Sequence, residues 1–104
     1  MEQPNLKFIK EIVGDDKAFE KSLIDIIKQE FPAEASLFTK NFSQKKYTEA
    51  STNVHKLKHK ISLLGLEEGF EIAYEFENEL KNGNTALHPE FLEILHKIHL
   101  YLLE

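Results

Sequence analysis

The apolar residues in the middle of the chain constrain its fold most strongly. They recur at steps of three, four, three, four and three residues, at Tyr47, Ala50, Val54, Leu57, Ile61 and Leu64. Side chains at this spacing share one face of an α-helix, whereas a half-buried strand would alternate apolar and polar residues. The pattern therefore predicts an amphipathic helix that ends near Gly65 and needs partners for its apolar face.

The N-terminal part of the chain shows the same helical spacing. We expect a short helix over residues 4–13 that ends at Gly14, and then a second helix capped by Asp15 or Asp16. The second helix is predicted to continue through Pro32 with a bend; the alternative is two shorter helices with a break before Pro32. Its predicted buried positions are Ile24, Ile27, Phe31, Phe38 and Phe42.

Two further helices are predicted in the C-terminal part. One covers residues 67–81 and ends at the Asn-Gly-Asn sequence of residues 82–84, and the other begins at His88-Pro89. Their predicted inward positions are Phe70, Ala73, Phe76 or Glu77, Leu80, Phe91, Leu95, Ile98 and Leu102. No segment has strand alternation. We predict an all-α fold in which residues 1–104 form one domain, an antiparallel four-helix bundle with an additional short N-terminal helix.

Charge and composition exclude several functions. The 13 Lys and 18 acidic residues give a net charge of −5, which argues against nucleic acid or an anionic membrane as the main partner. Cys is absent, so disulfides, thiolate zinc sites and cysteine nucleophiles are excluded. No stretch approaches the ~18 apolar residues that span a bilayer, and the N-terminus lacks the features of a signal peptide. We expect a cytoplasmic, free-standing monomer.

His55 is the exposed position that stands out in the third helix. At 100° per residue it lies roughly 130° from the apolar face, so we predict that it is exposed beside Ser51, Lys58, His59 and Ser62. Residues 45–60 carry five Lys and one Glu within an otherwise acidic chain. Imidazole is a nucleophile near neutral pH, and a lysine one turn further along would balance the charge of a phosphoryl group.

Metal binding is the main alternative for the histidines. His55 and His59 are four residues apart, and His96 and His99 are three apart, which are spacings that metal sites use. No third and fourth ligand converges on either pair in the sequence pattern, so we predict no metal site. An ordinary exposed histidine is the other alternative for His55.

At these residues the sequence resembles the histidine-containing phosphotransfer domain family. The family pattern is a small apolar residue, His, any residue, Leu, Lys and usually Gly, then Leu-Gly about six residues on, and Leu-Glu one helix later. This chain has VHKLKH at residues 54–59, LLG at residues 63–65 and Phe76-Glu77. It departs from the pattern at His59, which stands where the family most often has Gly.

The resemblance implies a phosphoryl carrier. His55 would accept a phosphoryl group from the aspartyl phosphate of a receiver domain and pass it to another receiver domain, with Lys58 as the cation beside it. Ser51, His59 and Ser62 are the predicted partner-docking residues. The bulky side chain of His59 could also restrict which receiver domain docks, or could touch the phosphate. The partners would be the receiver domains of hybrid histidine kinases and of response regulators.

The resemblance also implies that this chain needs no cofactor, because the divalent metal would belong to the receiver domain. The sequence has no Gly-rich nucleotide loop, so we expect no ATP-dependent kinase activity. A non-catalytic helical interaction or scaffold module that binds receiver domains is the alternative function, and His55 would then be incidental.

Overall fold

The computed structural model describes residues 2–104, which form five α-helices and no strand. The helices are α1 (Lys7–Val13), α2 (Lys17–Ser43), α3 (Tyr47–Leu63), α4 (Glu67–Leu80) and α5 (His88–Leu102). Helix α3 packs against α2 and α4, and α5 packs against α4 and α2, so the four long helices close around one core. Helix α1 packs on α2. The predicted all-α bundle with a short additional N-terminal helix is confirmed.

The start and the continuity of α2 follow the local sequence. The Asp16 side chain accepts a hydrogen bond from the Phe19 N–H at 2.9 Å and so caps the helix. Helix α2 runs without a break through Pro32, so the alternative of two shorter helices is wrong. Pro32 removes one backbone donor, but the buried Phe31 and Phe38 on either side of it keep both halves packed on the same core. The predicted bend of α2 at Pro32 stays a prediction.

The core is built from the predicted apolar faces and an aromatic cluster. The rings of Phe38, Phe76 and Phe91 pack edge-on or tilted, with centroids 5.1 to 6.0 Å apart. His88 stacks on Phe42 with the centroids 3.8 Å apart. Phe42, Phe70 and Leu102 are partly buried and pack against the core, as predicted, whereas Ile24 is only partly buried, which corrects the prediction that it lies inside. Ile24 and Leu102 line an open groove, which leaves one side of each uncovered.

The segment before α1 has no regular secondary structure and contacts the C-terminal end of α3 and the N-terminal end of α4. The prediction that the first helix begins at residue 4 is wrong, because the Asn5 N–H donates to the Leu64 carbonyl at 2.8 Å instead. Glu2 accepts hydrogen bonds from the backbone N–H groups of Glu68, at 3.1 Å, and Gly69, at 2.6 Å. Leu66 provides no side-chain cap for α4. The carboxylate of Glu2, near the N-terminus of the chain, therefore caps the N-terminal end of α4.

None of the helices within residues 2–104 combines the length and the apolar character needed to cross a membrane.

Candidate functional site

His55 lies on the outer side of α3. Its neighbours Val54 and Leu57 are fully buried, whereas the imidazole side chain is 52% exposed. The exposure agrees with the position predicted from the helical period. The ring is therefore accessible to a large partner and to small reagents.

Glu77 of α4 orients the imidazole. The Oε2 atom of Glu77 lies 3.0 Å from Nδ1 of His55. Because a carboxylate only accepts hydrogen bonds, Nδ1 carries the proton in this pair. In the neutral ring the free electron pair is then on Nε2, on the other side of the imidazole. The contact fixes both the tautomer and the orientation of the ring.

The Glu77 carboxylate is buried and ionised. Its other oxygen, Oε1, accepts a hydrogen bond from Nζ of Lys58 at 2.9 Å, and Lys81 Nζ lies 3.8 Å from Oε2. Burial alone would raise the pKa of Glu77. The hydrogen bonds and charges of Lys58 and His55 outweigh burial and lower the pKa of Glu77 below its usual value. A fixed negative charge thus lies directly behind the imidazole.

Lys58 is enclosed by α4. It is only 8% exposed, and its Nζ lies 5.1 Å from the ring centroid of Tyr74 and 5.8 Å from that of Phe70. The prediction that Lys58 is exposed beside His55 is therefore wrong. Three residues turn a helix by about 300°, which places Lys58 about 60° from His55 on the flank that α4 covers.

The same rotation explains the other residues predicted around His55. Ser51 lies about 40° from His55 on the α4 side. It is 3% exposed, and its hydroxyl donates to the Thr48 carbonyl at 2.7 Å. The prediction that Ser51 is exposed for a partner is wrong, since a buried side chain cannot contact one. Ser62 is partly buried, and His59, which is turned the other way, is exposed.

His59 contacts the candidate nucleophile directly. The two imidazole rings are nearly perpendicular, at 88°, with centroids 5.0 Å apart. Within residues 2–104 no group of three or more His, Cys, Asp or Glu side chains is arranged to hold a metal ion. The site thus consists of two adjacent imidazoles, one of which is bound to a buried carboxylate–lysine pair.

A comparison with protein families identifies the family of this chain. The model of the Hpt domain family matches residues 22–104, which include most of α2 and all of α3, α4 and α5. The chain belongs to the Hpt domain family. Hpt domains carry phosphoryl groups by histidine phosphotransfer in the phosphorelays of two-component signalling. Neither the curated proteins nor the solved structures that were compared with this Hpt domain include a match.

The sequence pattern did not reveal the role of Glu77 in this Hpt domain. The helical spacing predicts either Phe76 or Glu77 at an inward position, and both are buried, whereas the neighbouring Glu75 is exposed. The register signals the burial of Glu77, because this residue is four positions after Ala73 and three before Leu80, but it does not show that the carboxylate binds His55. A buried carboxylate is costly unless a cation pairs with it, and Lys58 is the cation that pairs with Glu77.

Proposed function

We propose that Nε2 of His55 accepts a phosphoryl group from the aspartyl phosphate of a receiver domain and delivers it to the aspartate of a second receiver domain. The observation that carries this proposal is the contact between Nδ1 of His55 and the ionised Glu77, at 3.0 Å. It leaves a nucleophilic nitrogen on an exposed ring whose protonated side is held by a negative charge. The partners we propose are the receiver domains of hybrid histidine kinases and of response regulators.

The transfer step balances without an external base. The Nε2 electron pair attacks phosphorus, the phosphorus–nitrogen bond forms, and the bond from phosphorus to the acyl oxygen breaks. The electron pair of that bond leaves on the aspartate carboxylate. The imidazole keeps its Nδ1 proton and gains positive charge, which the Glu77 carboxylate stabilises. The reverse step passes the group to the next aspartate.

Lys58 acts through Glu77 in this mechanism. Its Nζ is bound to Oε1 of Glu77 and is enclosed beneath Tyr74, so it supports the carboxylate that orients His55. We therefore assign Lys58 as a positioning residue and no longer as the cation that contacts the phosphoryl group. The divalent metal of the reaction belongs to the receiver domain, where it neutralises charge on the aspartyl phosphate.

We propose a monomeric cytoplasmic carrier that has no ATP-dependent kinase activity of its own.

The buried Glu77 and Lys58 support a carrier rather than a scaffold, because a binding module has no need of a charge pair that fixes one imidazole tautomer.

A labelled transfer assay tests the proposed function. The protein is incubated with a receiver domain that carries a ³²P-labelled aspartyl phosphate, and acid-labile, base-stable label on the protein is measured. We expect uptake by the wild type and by His96→Gln, which removes an exposed histidine of α5, and none by His55→Gln. No uptake by the wild type, or equal uptake by His55→Gln, would favour the scaffold module.

A further inference from the structure

The phosphoryl group on His55 needs a donor that the Glu77 pair does not provide. Lys58 is buried with its Nζ on Glu77, and Lys81 lies 3.8 Å from the same carboxylate. Both lysines therefore accompany the carboxylate that binds Nδ1, whereas the phosphoryl group bonds to Nε2 on the other side of the ring. A phosphoryl group carries up to two negative charges, and charge-assisted hydrogen bonds to its oxygens are among the stronger ones in proteins.

His59 is placed to supply that donor. It lies one helical turn after His55, on the flank that α4 leaves open, and its side chain is exposed. Its ring centroid is 5.0 Å from that of His55. The structure shows no hydrogen bond from the His59 ring to any side chain within residues 2–104, so its N–H is free to turn to a new acceptor.

We propose that the His59 imidazole donates a hydrogen bond to an oxygen of the phosphoryl group on His55 and so stabilises the phosphorylated form. This inference rests on the proposed function of His55. His59, which stands where the family pattern usually has Gly, would then bind the phosphoryl group. It would support the phosphoryl group in the place of Lys58, for which the sequence predicted that role. No covalent step involves His59, since it contributes only an N–H.

The test measures the phosphorylated protein itself, without a partner. Phosphoramidate, a small donor that phosphorylates imidazoles, is used to modify the full chain, and ³¹P NMR follows the phosphoryl group through a pH titration. His59→Phe keeps the bulk and removes the donor, His59→Gly removes both, and His59→Gln restores a donor. His96→Phe, on the exposed side of α5, is the matched control.

A hydrogen-bond donor favours the dianionic phosphoryl group over its protonated form. We expect the acid dissociation constant of the phosphoryl group to fall threefold to tenfold in His59→Phe and His59→Gly, and to stay within twofold in His59→Gln and His96→Phe. Equal constants in all variants would overturn the proposal.

Transfer rates distinguish a role of His59 in partner docking from a role in binding the phosphoryl group. If the His59 variants slow transfer to a receiver domain while the acid dissociation constant is unchanged, His59 contacts the partner and not the phosphoryl group, and the proposal is overturned. If the wild type takes up phosphate from phosphoramidate but none from a labelled receiver domain, the proposed function fails, and the titration still decides the role of His59.

Discussion

Glu77 of α4 binds His55 of α3 through one carboxylate oxygen and Lys58 through the other, at 3.0 and 2.9 Å. The three residues lie in two helices and are up to 22 positions apart in the chain. The exposed imidazole is therefore connected to a buried ion pair. Substitutions in the pair are expected to affect both the chemistry of His55 and the stability of the bundle.

The charge of Glu77 is expected to accelerate phosphoryl transfer. Glu77→Gln keeps a hydrogen-bond acceptor near Nδ1 but removes the negative charge that stabilises the developing imidazolium. We expect a transfer rate about tenfold lower, measured with a labelled receiver domain. Glu75→Gln, which changes an exposed residue of the same helix, is the control and should transfer at the wild-type rate. An unchanged rate in Glu77→Gln would show that the charge has no part in the reaction.

Removal of Lys58 is expected to destabilise the fold. In Lys58→Ala the Oε1 atom of Glu77 remains buried without its lysine partner, which costs about 2 kcal/mol of the free energy of unfolding. Urea denaturation followed by circular dichroism measures the loss. Lys56→Ala removes an exposed lysine of the same helix and should change the unfolding free energy by less than about 0.5 kcal/mol. Equal stabilities of the two variants would mean that the pair contributes nothing.

His88 is expected to make the fold sensitive to mild acid. Burial lowers the pKa of His88 below 6.5, and the ring stacks on Phe42. Below pH 6.5 the unfolded chain therefore binds a proton that the folded chain excludes, so stability falls as the pH falls through this range. Urea midpoints between pH 7.5 and 5.5 measure this effect. His88→Phe should show a smaller decrease, and an identical decrease would contradict the assignment.

Glu77 is expected to add a second loss of stability at lower pH. Its pKa is lowered in the folded protein, so the folded carboxylate stays ionised where the unfolded one is already protonated. Its contribution is complete above pH 4.5 and is lost as the pH falls through the folded pKa. In urea denaturation between pH 5 and 3, Glu77→Gln should lose less stability than the wild type. A loss as steep as that of the wild type would assign the acid sensitivity to other carboxyl groups.

The cap that Glu2 provides for α4 is expected to stabilise the bundle. Glu2→Ala leaves the N–H groups of Glu68 and Gly69 without this acceptor, which costs about 1 kcal/mol. The change should appear as a lower melting temperature. Gln3→Ala alters an exposed neighbour in the same segment and should leave the melting temperature unchanged. A melting temperature of Glu2→Ala equal to that of Gln3→Ala would show that α4 does not depend on this cap.

Local patterns in the sequence predicted the helices well. The three-and-four spacing from Tyr47 to Leu64 predicted α3, and Asp16 caps α2 as one of the two proposed residues. The contacts of Glu2 and Asn5 could not be predicted, because their partners are at helix ends more than 55 residues away in the chain. Contacts at that separation leave no local pattern.

The site was predicted only in part. The helical period placed His55 outside, but it did not show which flank of α3 another helix covers. Lys58 and Ser51 lie on the covered flank and His59 on the open one, so residues within about 60° of His55 range from buried to exposed. The packing of α4, and not the spacing along α3, decides which of them meets a partner.

The position of the phosphoryl group on the imidazole tests the central claim most directly. After transfer from a phosphorylated receiver domain, ³¹P and ¹⁵N NMR of the intact protein identify the modified nitrogen. With Nδ1 of His55 held by Glu77 at 3.0 Å, we predict phosphorylation at Nε2 of His55 and no signal in His55→Gln. Phosphorylation at Nδ1, on another histidine or nowhere would contradict this account.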